Sequence, residues 1–303
     1  MDNLSKIILI SGPTASGKSN FAVKIAKKIN GEIINADSMQ VYKKLKILTA
    51  KPNPKDKKGI KHHLYGLIDL DKKFSTGDWL KKVIKKIKEI KKRKKIPILV
   101  GGTGLYFQSL INGLVEIPEI PIKFRNKIRS VQKKYGQKKF YKKLLKIDPK
   151  VKDKIDSNDS QRSIRAYEIK SYSKKSMYDW LAQTKPNFKE NQFLKLYINF
   201  DRKKLIERIE KRTEKIIKSG AAKEVKKFRK LKFYKQSSVN KVIGVQELSK
   251  FLEKKIKIEE AKELISIRTR QYAKRQATWA RSKMTKWFWI NPKDFEAWIK
   301  KVY

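Results

Sequence analysis

The chain has 303 residues, no cysteine, two histidines and a formal charge of +49. That length suits one large α/β domain, or a domain carrying a smaller one. The lack of cysteine excludes disulfides, thiolate metal sites, iron–sulfur clusters and a cysteine nucleophile.

The two histidines are adjacent, His62 and His63. Neighbours on a strand face opposite ways and there is no third histidine, so they read as a loop pair making local hydrogen bonds. Of the 78 basic residues, 13 are Arg and 65 are Lys. The charge fits a polyanionic partner, nucleic acid or an anionic membrane, and it equally fits the lysine bias of an AT-rich genome. The positions of the arginines are therefore more informative than the total. The N-terminal run KIILI is too short for a signal peptide and leads straight into a loop. No apolar run approaches the roughly 18 residues of a membrane span. The expectation is a soluble, cytoplasmic protein with no membrane partner.

In chain order, KIILI (6–10) predicts a short buried strand and GPTASGKS (12–19) a loop. In NFAVKIAKKIN (20–30), Phe21, Ile25, Ala26 and Ile29 recur at helical spacing, with Gly31 placed to close the helix. EIINA (32–36) predicts a second strand ending at Asp37, and residues 51–63, rich in Pro and Lys, predict a loop. Ser75-Thr76-Gly77-Asp78 is a capping box written with Asp. It opens a helix whose apolar stripe is Leu80, Val83, Ile84, Ile87 and Ile90. IPILV (96–100) predicts a buried strand running into GGTG. This alternation predicts an α/β fold: a P-loop, kinase-like core with a parallel sheet and right-handed crossovers.

From about residue 114 the character changes. EIPEIPIKF (116–124) holds two prolines and no strand pattern, and lysine-dense helical patterns such as KFYKKLLKI (139–147) follow. LKLYINF (194–200) restores a strand. We read residues 114–194 as a helical insertion domain, and 1–113 with 195–303 as the P-loop core and its C-terminal helices. After Asp201 the chain is helical to about 283, with Leu205, Ile206, Ile209, Ile216 and Ile217 on one face and Gly220 as a stop. WFWIN (287–291) predicts a last strand.

The stretch 12–19 has the form G-x-x-x-x-G-K-S shared by ATP- and other nucleotide-binding loops. Gly12 and Gly17 let the loop Pro13-Thr14-Ala15-Ser16 turn the amide N–H groups of Thr14, Ala15 and Ser16, with the following helix end, toward a phosphate. Lys18 reaches the outer phosphate, and the Ser19 hydroxyl can hold Mg²⁺. Hydrolysis of ATP calls for an acid after an apolar strand, yet IPILV ends in Gly101-Gly102-Thr103-Gly104. The acid close in topology is Asp37, because the strand ends of a parallel sheet share the edge where ligands bind. Its bland reading is a cap or turn residue. Its functional reading is a base that takes a proton from a nucleophile. Thr103 can give a hydrogen bond to an oxygen that gains charge on leaving. These parts describe attack on a group joined to phosphate. The attacked atom is phosphorus in a kinase and carbon in an alkyl transfer, and the residues leave both open.

Six ordered motifs now stand out: GPTASGKS (12–19), INADSMQVYK (34–43), TAKP (49–52), LVGGTGLY (99–106), NDSQRSIRAYE (158–168) and RTRQYAKRQATW (268–279). Together they closely resemble the tRNA dimethylallyltransferase (tRNA isopentenyltransferase) family, from about residue 6 to 290. The resemblance implies transfer of a dimethylallyl group from dimethylallyl diphosphate to N6 of adenosine 37, which lies 3′ of the anticodon in tRNAs reading UNN codons. It also implies a need for Mg²⁺, a monomer, and a loop that holds the donor's diphosphate. By the same resemblance Asp37 is the general base, Thr103 contacts the bridging oxygen of the departing diphosphate, and Lys18 and Arg212 neutralise its charge. Asp37, Ser38, Met39, Gln40, Thr103, Arg125, Gln161, Arg162, Ser163, Ile164 and Arg165 are implied tRNA contacts. So are Lys241, Val242, Ile243, Gly244, Val245 and Gln246. Val245 stands where the family usually has an aromatic, and Ser163-Ile164 replaces a commoner leucine-rich pairing. The chain ends at Tyr303 with no Cys/His module, which implies a bacterial-type enzyme.

The residues agree with this independently. An enzyme acting on a base must hold it unstacked, and an anticodon loop permits that at modest cost. Arg268, Arg270, Lys274, Arg275 and Arg281 crowd one helix beside Tyr272 and Trp279, which suits an RNA backbone with exposed bases. Three alternatives fit less well. A small-molecule kinase needs an arginine-rich lid, and the insertion offers few arginines. An adenylate isopentenyltransferase does not need the insertion or the basic C-terminal helix. A non-catalytic RNA-binding protein leaves the loop, Asp37 and Thr103 without a purpose.

Overall fold

The computed structural model describes residues 6–231 and 238–301. The chain divides into two compact units, residues 1–111 with 188–303, and residues 112–187.

The first unit is built on a six-stranded sheet in the order β3-β2-β4-β1-β5-β6, with every pairing parallel. Its strands are β1 (Ile7–Ser11), β2 (Gly31–Asn35), β3 (His62–His63), β4 (Ile96–Gly101), β5 (Phe193–Ile198) and β6 (Phe288–Ile290). The central strands IILIS and IPILVG are buried along their whole length, as strands covered on both faces must be. On one face α1 (Lys18–Lys28) buries Phe21, Val23 and Ile25 against Ile8, Ile33 and Ile98. On the other, α3 (Thr76–Lys92) and α4 (Gly104–Asn112) bury Trp79, Val83, Ile87 and Phe107 against Leu9, Ile34 and Leu99. A short α2 (Pro54–Lys57) lies in the loop before β3.

The helix α3 starts where the capping box predicts. The Asp78 amide donates to Ser75 Oγ at 3.1 Å, and the Ser75 amide donates to Asp78 Oδ2 at 2.9 Å. Leu80, Val83, Ile87 and Ile90 are buried, while Ile84 packs at the edge of the core.

Two expectations need correction. Gly31 does not close α1. The helix ends at Lys28, Asn30 takes the left-handed turn at φ 51, and Gly31 is already the first residue of β2. A Cβ on Gly31 would stand 2.7 Å from Ile98 Cδ1, so close strand packing accounts for the glycine there. The histidine pair is not a loop. It forms β3, pairing with Ile33 and Ile34. His62 Nδ1 does bond locally, to the Ile60 carbonyl at 2.9 Å. His63 Nε2 instead meets the buried Glu32 carboxylate at 2.6 Å, beside Arg93 at 2.6 Å. Burial opposes the Glu32 charge, but the Arg93 and His63 hydrogen bonds hold its carboxyl below the usual range.

After β5 come α8 (Arg202–Lys218), α9 (Ala221–Arg229), α10 (Val245–Leu252) and α11 (Ile258–Lys283). Gly220, at φ 91, separates α8 from α9. Val225, Phe228, Val242, Val245, Leu248 and Ile265 give these helices their own core, which also takes in Val41, Leu45 and Leu48. A last helix, α12 (Phe295–Lys301), packs Phe295 on Phe21 at 4.1 Å between ring centroids.

The second unit is helical. It contains α5 (Ile122–Ile147), kinked at Gly136 where φ is 71, with α6 (Ser160–Ser173) and α7 (Met177–Ala182). Leu144, Val151, Ile155 and Ala166 form its core, and a Ser176 to Asp148 hydrogen bond of 2.8 Å is buried beside it.

Candidate active site

From β1 the chain turns through Gly12–Gly17 into α1. Ala15 (φ 63) and Gly17 (φ 87) are left-handed, which rotates amides toward one side of the loop. The Ser16 amide donates to the Pro13 carbonyl at 3.2 Å, and Lys18 Nζ donates to the same oxygen at 3.1 Å. A Cβ on Gly12 would press on Ile198 and Ser16, both 3.0 Å away. Ser19 is exposed at the start of α1. Burial lowers the Lys18 ammonium to about 8; the Asp37 charge opposes the shift, and Arg212 adds to it.

The strand β2, separated from β1 by β4, ends at Asn35, which is fully buried. Its side-chain oxygen accepts the Asp37 amide proton at 2.9 Å, and its nitrogen donates to the Asp37 and Leu64 carbonyls at 3.0 and 3.1 Å. Asn35 thus shapes the loop that carries Asp37. Asp37 Oδ1 accepts from the Met39 amide at 2.8 Å, an Asx turn. The turn reading of Asp37 is realised through Oδ1, which leaves the other oxygen without a hydrogen bond among the described residues.

The strand β4 delivers the third part. A Cβ on Gly101 would lie 2.0 Å from the Ala36 carbonyl oxygen, so only glycine lets these two strand ends come together. The Thr103 amide donates to that Ala36 oxygen at 3.2 Å, and Thr103 Oγ1 accepts the Ser38 amide proton at 3.0 Å. Thr103 in turn donates a long bond of 3.3 Å to Ser38 Oγ. From above, α11 ties the loops together. Gln276 accepts the Thr14 amide proton and donates to the Gly102 carbonyl, both at 2.9 Å. Trp279 lies over Gly104, where a Cβ would meet its ring at 2.3 Å.

Two cavities open on this junction. One, of about 470 Å³, is lined by Lys18, Ser19, Asp56, Tyr65, Arg208 and Arg212. The other, of about 350 Å³, is lined by Thr14, Asp37, Met39, Arg212, Tyr272 and Arg275. Arg212 borders both. Burial works against its charge and Asp37 supports it. The hydroxyls of Tyr65, Tyr106 and Tyr272 are pushed up by burial, and the Asp37 charge pushes them further.

The other sequence-proposed contacts fall in several places. Lys241, Val242 and Ile243 line the cavity that holds Asp37, beside Ser38 and Met39. Gln40 donates to the Thr49 and Ala50 carbonyls at 2.8 and 3.2 Å, so its amide braces the TAKP segment. Gly244 is left-handed at φ 100, Val245 is fully buried in the helical core, and Gln246 accepts from Arg268 at 3.1 Å. In the second unit, Gln161 and Arg162 are exposed on α6 and Ser163 is buried, accepting from Gln137 at 3.1 Å. Ile164 is half-buried on the same helix. Arg125 and Arg165 meet at the buried carboxylate of Glu168, 3.2 and 3.3 Å away. Sequence reasoning passed over Asn35, Tyr65, Arg208 and Gln276. Asn35 left one signal, a polar residue closing an apolar strand run; Gln276 left none beyond its place in RTRQYAKRQATW.

These features define a P-loop-like α/β protein in which the loop after β1 lies at one sheet edge with the Asp37 carboxylate and the Thr103 hydroxyl. The sequence pattern of the IPP transferase family matches residues 40–283. The chain belongs to that family. It is 70% identical over 302 residues to the tRNA dimethylallyltransferase of Pelagibacter ubique, covering 100% of this chain and 96% of that one. It is 40% identical over 298 residues to that of Acetivibrio thermocellus, covering 98% and 94%. Among solved structures, the full-length tRNA isopentenylpyrophosphate transferase from Bacillus halodurans superposes with a TM-score of 0.69 at 32% identity, over 98% of this chain and 95% of that one. A eukaryotic dimethylallyltransferase acting on tRNA superposes with a TM-score of 0.83 at 31% identity, over 97% and 75%.

Proposed function

We propose that this chain transfers a dimethylallyl group from dimethylallyl diphosphate to N6 of adenosine 37, 3′ of the anticodon, in tRNAs reading UNN codons. The N6 lone pair attacks the first carbon of the donor. A C–N bond forms, the C–O bond to the diphosphate breaks, and the diphosphate leaves with the bonding electrons. One N6 proton passes to the free carboxylate oxygen of Asp37. Thr103 turns its hydroxyl from Ser38 to the oxygen that gains charge. Lys18, Arg212 and the loop amides hold the departing diphosphate.

One observation carries this reading. The Asp37 and Thr103 loops are laced together at the sheet edge, across from a phosphate cradle and with no hydrolytic acid after β4. That arrangement suits attack at carbon, with the whole diphosphate as leaving group. The family and the names of the relatives support the same reading. The larger cavity, with Lys18 and Arg212, suits the donor, and the cavity with Asp37 and Tyr272 suits the base.

Ser19 and Asp56 open on the donor cavity. One hydroxyl and one carboxylate suit Mg²⁺, which keeps most of its ligands as water and phosphate oxygen. Bound there, Mg²⁺ would neutralise charge on the diphosphate. We take the enzyme to act as a monomer. Among the described residues no helix is long and apolar enough to cross a membrane, and we place the enzyme in the cytoplasm with its tRNA.

The test is incubation with Mg²⁺, dimethylallyl diphosphate and unmodified tRNA, followed by nucleoside mass spectrometry. Prenylated adenosine is the expected product. Prenylated AMP in place of modified tRNA would overturn the assignment.

A further inference from the structure

Two side chains at opposite ends of one loop each hold the backbone of the other end. Gln40 stands three residues after Asp37, and its amide nitrogen donates to the Thr49 and Ala50 carbonyls at 2.8 and 3.2 Å. Lys51 closes the same loop in the opposite direction. Its ammonium donates to the carbonyls of Tyr42, of Lys43 at 3.0 Å and of Lys44 at 3.1 Å. A glutamine amide has two N–H groups to give and a lysine ammonium three, so both side chains are used to capacity. Burial lowers the Lys51 ammonium to about 8, with Glu224 opposing the shift and Lys46 adding to it. At neutral pH the charged form, with all three hydrogens, therefore predominates.

The loop inside this clasp is strained. Leu45 and Ala50 are left-handed at φ 57 and 47, an uncommon conformation for residues with a side chain. Such positions persist where the surroundings over-determine them, and they gather at functional sites. From outside, the Glu224 carboxylate on α9 accepts the Ile47 and Leu48 amide protons, each at 3.1 Å.

The placement of the loop gives the strain a purpose. Leu48 and Thr49 line the cavity of Asp37, while Ala50 and Pro52 line the cavity of Lys18. One short segment is thus a wall to both. At its near end the loop runs straight into the Asp37 turn. The Gln40 amide donates to the Asp37 carbonyl at 3.3 Å, and the Met39 amide donates to Asp37 Oδ1 at 2.8 Å. The clasp therefore joins the carboxylate to the wall that the two cavities share.

We infer that Gln40 and Lys51 are positioning residues for the transfer, their clasp fixing the Asp37 carboxylate relative to the wall of the Lys18 cavity. The inference rests on the reaction proposed above. It gives Gln40 a role through Asp37 rather than through contact with RNA. It also gives the lysine of TAKP a task, holding the general base at the distance from the donor that the reaction needs.

The test is a set of double-mutant cycles in the whole chain, read by single-turnover rate and affinity with an unmodified anticodon stem-loop RNA. Lys51→Met removes the ammonium and Gln40→Ala removes the amide. Each is expected to lower the rate about tenfold and to leave RNA and pyrophosphate affinity within about twofold, as misplacement at a reacting centre does. The double variant should lose little more than either single one, because both open the same clasp. In an Asp37→Asn background, Lys51→Met should cost less than about twofold, because the group it positions is already gone. Lys51→Arg keeps a charged donor with several N–H groups and should retain most of the rate. Circular dichroism melts check the fold; where Lys51→Met does not fold, Gln40→Ala carries the cycle with Asp37→Asn. An equal loss with and without the Asp37 carboxylate would overturn the inference and leave a brace for stability. Lower RNA affinity in Gln40→Ala at an unchanged rate would overturn it in favour of a direct RNA contact. Wild-type protein that prenylates no RNA would sink the functional reading instead. Hydrogen exchange at the Met39 amide then judges the clasp alone: faster exchange in Lys51→Met supports it, and unchanged exchange ends it.

Discussion

The side-chain oxygen of Gln276 accepts the amide proton of Thr14 at 2.9 Å, joining the C-terminal helix to the phosphate loop. The same side chain donates to Gly102, next to Thr103. One amide therefore sets the spacing between the loop proposed to cradle the diphosphate and the threonine proposed to meet the leaving oxygen. Gln276→Ala should lower kcat by about 10- to 100-fold with a smaller rise in donor KM, since small misplacements at a reacting centre are costly. Gln276→Glu keeps an acceptor for Thr14 but loses the donor to Gly102, and should fall between. Steady-state kinetics with RNA saturating checks both.

Asp37→Asn should lower kcat by about 100-fold or more, the usual range for a general base, and leave RNA affinity within about threefold. Thr103→Val should act on kcat in the same way, while Thr103→Ser retains most activity. Single-turnover rates and filter-binding affinities separate the two effects. An equal loss in affinity would contradict the roles assigned.

Burial holds the Lys18 ammonium at about 8 in the folded protein, below its unfolded value of 10.5. Below pH 8 the group is charged in both states and its desolvation cost is fully present. Between pH 8 and 10.5 the folded form has shed a proton that the unfolded form keeps, so this contribution to stability improves as pH rises. Pyrophosphate binding should run the other way, because the role proposed for Lys18 needs the ammonium. Affinity measured by calorimetry should fall as pH rises through about 8. Lys18→Met should bind more weakly throughout and lack that fall.

Gly101→Ala should destabilise the protein by roughly 2–3 kcal/mol, at the upper end for overpacking. The added methyl would strike the Ala36 carbonyl, a backbone atom that cannot swing aside. Gly59→Ala provides the contrast: no atom lies within 4 Å of its Cβ position, so only its φ of 79 opposes the change. Chemical denaturation of the two variants measures the difference.

RNA affinity should fall steeply with salt if the arginines and lysines of α11 meet phosphates. A logarithmic plot of affinity against salt should have a slope corresponding to several released counterions. Lys274→Ala and Arg281→Ala should each reduce that slope by about one. A flat response would assign the +49 charge to composition alone.

What was legible in the sequence was what short range determines. The phosphate loop, the helix that follows it and the Ser75–Asp78 box each complete themselves within a few residues. The position of Asp37 needed one further rule, that parallel strand ends share an edge. The rest depends on residues far apart in sequence. Asn35 is recognisable only once Leu64 and Asp37 lie on either side of it, and Gln276 bonds to residues 262 and 174 positions away. The glycines of GGTG were visible as a loop, but their cause was not, because Ala36, Gln276 and Trp279 crowd them only in the folded chain. His63 misled for the same reason, since its partner Glu32 sits on the adjacent strand.

Arg212 forms part of the wall of both cavities at the junction. Neutralising it from one side must change the field felt on the other. Thermodynamic linkage makes that influence symmetrical: whatever factor diphosphate imposes on RNA affinity, RNA imposes on diphosphate. If the two proposed substrates occupy these cavities, they cannot bind as strangers, and the surroundings of a single guanidinium tune their mutual preference.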